Sequence, residues 1–130
     1  MYRWAMLAIG VVGVVVGFFT GLQATRLLLL GPVHVSVGAV AALALNAGFG
    51  VLAAWALRSR DAAFMPGVGW FVAVLAVLFL PHPGGDIVLP GSGADAIAFL
   101  LLGVVGVIVA VVVTARIVPP RALPPSKTDR

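Results

Sequence analysis

Cysteine is absent from this 130-residue chain, which excludes disulfides, thiolate metal sites and cysteine nucleophiles and leaves the redox compartment open. Charge is nearly as scarce. Asp, Glu, Lys and Arg make up 9% of the residues, against about a quarter in soluble domains. The eight Lys and Arg are scattered in ones and twos, so the net charge of +4 forms no basic face for nucleic acid. No charged residue falls in the middle of an apolar run, where proton-coupled carriers generally need an ionisable group. None of the serines, Ser36, Ser59, Ser92 and Ser126, sits in a nucleophile elbow. The sequence therefore carries neither an enzyme's catalytic set nor a cofactor site.

What is present is apolar. Hydrophobic residues make up 62% of the chain and the mean hydropathy is +1.21, so the expected solvent is the bilayer. The length allows one compact domain and no sizeable water-soluble core. With charges, prolines and glycine clusters read as punctuation, four spans emerge at about 4–22, 33–57, 62–80 and 96–115. Pro32 is expected to start the second span, which Arg58-Ser59-Arg60-Asp61 stops, and Asp61 to cap the third. The fourth is Val-rich, a strand composition in water, but a 20-residue apolar run in lipid must satisfy its backbone as a helix. The expectation is an all-α membrane protein: a four-transmembrane-helix bundle over 1–118 and a Pro-rich basic tail over 119–130.

Orientation follows from the basic residues. With the N-terminus cytoplasmic, the inner segments hold Arg3, Arg58, Arg60, Arg116, Arg121, Lys127 and Arg130, and the outer ones only Arg26. Seven against one predicts N- and C-termini in the cytoplasm and a multi-pass protein of the cell inner (plasma) membrane. Trp4, Trp55 and Trp70 then fall near the cytoplasmic ends of their spans, where indoles sit among headgroups. The tail is expected to be non-helical and to lie against anionic lipid. Met1-Tyr2-Arg3 looks like the basic start of a signal peptide, but the apolar run after it is too long and Leu22-Gln23-Ala24 is a poor cleavage site.

Gly10, Gly13, Gly17 and Gly21 form a small-residue stripe on the first span, and Gly38, Ala42, Asn46 and Gly50 form a second on the next. Such stripes let helices approach closely in lipid. Each can serve packing inside the bundle or face another membrane protein. Asn46 lies at mid-span, as interhelical glue or as the lining of a path. At the outer end, Arg26 is expected to pair with Asp86 or Asp95 and tether the two outer loops. His34 and His82 with these acids lack tight ligand spacing, so no metal is expected.

Gly69-Trp70 early in the third span, the Pro83-x-Gly85-Asp86 loop and the apolar fourth span together resemble a small uncharacterised four-span family of actinobacterial membrane proteins. The resemblance covers roughly 67–115 with motifs and the rest by hydropathy. Some members are LucB-like accessory subunits of Mce lipid importers, which implies integral-membrane permease subunits as partners. Two other families fit less well. Small multidrug carriers need a carboxylate in the first span, which this chain lacks. Leu45-Asn46-Ala47-Gly48 is similar to the pore asparagine of fluoride channels, but 71–79 offers no hydroxyl for the third helix of that pore. The expected function is a non-catalytic accessory subunit of a membrane transport complex, an Mce-type lipid importer by the resemblance. The alternative is a small homo-oligomeric channel or facilitator lined by Asn46.

Overall fold

The computed structural model describes residues 2–22, 27–30, 33–79 and 94–120. Four helices carry the fold: α1 (Tyr2–Leu22), α2 (Val37–Leu57), α3 (Met65–Phe79) and α4 (Ala94–Ile117). Counting the 3₁₀ turn Arg60–Phe64 that leads into α3, each of the four helical runs is long and apolar enough to cross a membrane. The chain is thus an all-α bundle of four membrane-spanning length helices, with one small addition.

That addition corrects the start of the second span. Leu27–Leu30 (β1) and Val33–Ser36 (β2) pair as an antiparallel hairpin, with Leu27 opposite Ser36 and Leu30 opposite Val33. The helix begins at Val37 because Ser36 caps it: Ser36 has extended backbone, and its hydroxyl accepts the Ala39 N–H at 3.2 Å. The alternating Val33-His34-Val35-Ser36 suits a strand better than a first helical turn. Open strand edges are not tolerated in hydrocarbon, so the hairpin belongs at the polar end of the bundle where α1 stops and α2 starts.

The opposite end of α2 is closed by Arg58 in the left-handed conformation, φ 47° and ψ 43°. The Arg58 N–H donates to the Trp55 carbonyl at 3.3 Å and the Ser59 N–H to the Ala54 carbonyl at 3.1 Å, satisfying carbonyls that the helix end leaves free. Asp61 lies inside the 3₁₀ turn rather than capping it; Ser59 holds the capping position. Pro66 sits in the first turn of α3, where its missing N–H costs nothing.

The helices associate as two parallel pairs, α1 with α3 and α2 with α4. Gly13 faces Pro66 and Gly17 faces Trp70 and Ala73, while Gly50 faces Ala110 and Gly106 faces Leu43. Between the pairs lies the main apolar cluster of Val16, Ala39, Ala42, Trp70, Val74, Ala96 and Phe99. Helices α3 and α4 touch little along their length; Trp70 meets Phe99 and Gly103, and Gly67 meets Val107.

Candidate functional site

Trp70 is the node of the bundle. Its side chain is 1% exposed, and its ring lies 5.4 Å from that of Phe99 on α4 with the planes tilted by 49°. It also covers Gly103, where a Cβ would overlap the indole. Its Nε1–H donates to the Thr20 hydroxyl on α1 at 3.3 Å, and Thr20 in turn donates to the Val16 carbonyl at 2.8 Å. The headgroup position expected for Trp70 is therefore wrong. The 3₁₀ turn adds length before α3, so Trp70 lies about 18 Å along the run from Arg60, inside the bundle beside Gly17 and Thr20. Trp4 and Trp55, 75% and 68% exposed, do stand on the outside of the bundle.

The glycine stripes are occupied within the chain. A Cβ at Gly17 would lie 2.7 Å from the Ala73 Cβ and 2.8 Å from the Trp70 carbonyl oxygen, and one at Gly13 would overlap the Pro66 backbone. Gly69 answers from α3, since a Cβ there would overlap the Gly10 carbonyl. Gly21, Gly38 and Ala42 are buried. On the second stripe, a Cβ at Gly50 would collide with Ala110 and with the Ala63 carbonyl. Gly10 differs from the rest: a Cβ there would meet nothing within 4 Å.

Asn46 is shut into the contact of α2 and α4, 1% exposed. Its Nδ2–H donates to the Gly103 carbonyl at 3.2 Å, while its Oδ1 is buried without a hydrogen-bond partner. Gly106 packs against its Cβ. The amide thus fixes the register of α4 on α2 and is buried in their contact.

One end of the bundle gathers its polar groups into a clasp that the residue pattern alone does not reveal. Tyr2 at the start of α1 donates its hydroxyl to Ser59 Oγ at 2.6 Å. Arg60 donates from Nε to the Val118 carbonyl at 2.8 Å and from its terminal nitrogen to the Ala115 carbonyl at 2.9 Å, capping the last turn of α4 with a cation. These bonds bring Arg3, Arg58, Arg60 and Arg116 to the same end. The two acceptors, one in the last turn of α4 and one just after it, are backbone atoms, which left no mark in the sequence.

The outer-loop tether lies outside what can be described: Arg26 and Asp86 are beyond the described residues, as are His82 and the Pro83-x-Gly85-Asp86 motif, and Asp95 is placed only by its backbone in the first turn of α4. Among the described residues no three His, Cys, Asp or Glu side chains gather. Grooves mark the outside among the described residues, among them an apolar one of about 500 Å³ beside Gly48, Leu52 and Trp55. One of about 560 Å³ runs between α1 and α3 below Arg3. One of about 290 Å³ lies in the loose seam of α3 and α4, floored by Trp70 and Gly67. Another, of about 430 Å³ and of mixed polar and apolar lining, lies beside Trp55 and Arg58 at the end of α2 and α4. Compared with family models, characterised proteins and solved structures, the chain matches none of them.

Proposed function

We propose that this protein is a non-catalytic accessory subunit that associates with the integral-membrane permease subunits of a larger transport complex. Under this reading it sits in the cell inner membrane with both termini in the cytoplasm, the side on which the basic end of the bundle retains its charges. The observation that carries the proposal is the closed interior. Asn46 and Thr20 are both hydrogen-bonded within the bundle, and the glycines that allow close approach face neighbouring helices of the same chain. Apart from Asn46 Oδ1 and Thr114 Oγ1, which are buried without a hydrogen-bond partner, the polar groups of the core hold the bundle's own helices together, which leaves its outer surface for function. The resemblance of the 67–115 region to accessory proteins of Mce-type lipid importers supplies the class of partner. The burial of Asn46 argues against the small homo-oligomeric facilitator lined by that residue.

The test is affinity purification of the tagged protein from its own membrane in mild detergent, followed by mass spectrometry. The expected result is a stoichiometric permease subunit. Recovery solely as a monomer or homo-oligomer overturns the proposal. Reporter fusions after Ser59 and at the C-terminus should both read as cytoplasmic, and a periplasmic signal at either overturns the orientation.

A further inference from the structure

We infer that the groove between α1 and α3 is a binding site for one acyl chain of an anionic phospholipid, whose headgroup phosphate is held by Arg3. This inference goes beyond the accessory-subunit reading and does not require a partner protein.

The groove is open to the outside and offers about 560 Å³, within the roughly 300–1,000 Å³ of small-molecule sites. Its walls are apolar: Met6, Leu7 and Val11 rise from α1, and Val68 and Val72 face them from α3. Its length selects the occupant. From Arg3 at the mouth to Val14 at the far end, α1 advances about 16 Å, half of a hydrocarbon core about 30 Å thick. That is the depth of one leaflet, with the mouth at the headgroup layer.

Charge selects the headgroup. Among the described residues, Arg3 is the one charged residue lining the groove, and it lies in the first turn of α1, where free backbone N–H groups and the helix dipole also favour an anion. Asp61, the acidic residue on the neighbouring 3₁₀ turn, is exposed and does not line the groove. The groove beside Arg58 is less suited, because it sits at the C-terminal ends of α2 and α4 where the dipoles favour cations.

Gly10, like Gly48 on α2, is a glycine that packing leaves unexplained, and it is the one that lines this groove. Gly13, Gly17 and Gly69 are glycines because a Cβ at each would collide with the neighbouring helix. At Gly10 a Cβ meets nothing within 4 Å, so the missing side chain keeps the groove open instead of bringing two helices together. A leucine at this position would fill the space meant for an acyl chain.

Native mass spectrometry of the purified protein, with phosphatidylglycerol or phosphatidylcholine of identical acyl chains added, tests the inference. The wild type should retain phosphatidylglycerol about fivefold better, the worth of one basic residue beside an anionic headgroup. Arg3→Gln should abolish the preference, while Arg58→Gln should keep it. Gly10→Leu should lose the bound lipid with an unchanged melting temperature; Val72→Phe, which fills the groove from the α3 side, should do the same if Gly10→Leu does not fold. Equal retention of both lipids by the wild type overturns the inference. So does an equal loss of preference in Arg3→Gln and Arg58→Gln, or full lipid retention when the groove is filled.

Discussion

The indole Nε1–H of Trp70 meets the hydroxyl of Thr20 at 3.3 Å in the interior of the bundle, fastening α3 to α1 across fifty residues of sequence. In lipid there is no hydrophobic force between helices, so packing and such bonds carry the association. Thr20→Val keeps the shape but leaves a buried donor without its acceptor, at a cost of about 1 kcal/mol. Trp70→Phe removes the donor and part of the ring that fills the space above Gly103. Thermal unfolding in detergent should show each single variant destabilised and the double variant less so than the two effects added, because the second change removes a partner already lost. Strict additivity would mean that the contact contributes nothing.

The glycines should grade by what faces them. Gly13→Ala and Gly69→Ala push a methyl into the backbone of the opposite helix, and overpacking of this kind costs about 1–3 kcal/mol. Gly10→Ala and Gly48→Ala meet open space and should leave the melting temperature unchanged or raise it slightly, given alanine's better helix propensity. The four melting temperatures in one detergent decide the matter. An equal response at all four positions would contradict the packing described.

Arg60 should matter to α4 more than to its own segment. Arg60→Gln removes the charged bonds to the Ala115 and Val118 carbonyls, and at this solvent-exposed end the loss is about 0.5–1 kcal/mol. Amide hydrogen exchange should quicken in the last turn of α4 while the middle of α1 keeps its protection. Arg58→Gln should leave that turn unchanged, since no α4 carbonyl depends on it.

The contrast among these residues marks what the sequence can disclose. Four apolar runs of the right length give four helices because lipid admits few alternatives, and the spacing of Gly13 and Gly17 announces a close approach. Which helix approaches is a tertiary fact: the same stripe would serve a foreign protein equally well, and only the position of Pro66, Trp70 and Ala73 assigns it to α3. Trp70 was misplaced in depth because a 3₁₀ turn over Arg60–Phe64 has no distinctive residue pattern and stretches the chain further per residue than a helix. Thr20 was legible only as the one hydroxyl of its span. Ser36 could have been read as a cap, but Pro32 offered a competing start four residues earlier. Arg60 counted towards orientation, yet its capping role depends on backbone carbonyls that no pattern of side chains encodes.

The central claim, that the first glycine stripe is taken up inside the chain by α3, is most directly tested by cysteine cross-linking, for which a chain without native cysteine is suited. The Cβ positions of Gly17 and Ala73 lie 2.7 Å apart, and a small separation of the helices reaches the roughly 3.8 Å of a disulfide. In native membranes under mild oxidation, Gly17→Cys combined with Ala73→Cys should give an intramolecular disulfide in the monomer, and Gly17→Cys alone should give no cross-linked species. Disulfide-linked dimers from Gly17→Cys alone, with no intramolecular bond in the double variant, would place the stripe on the outside and contradict the account.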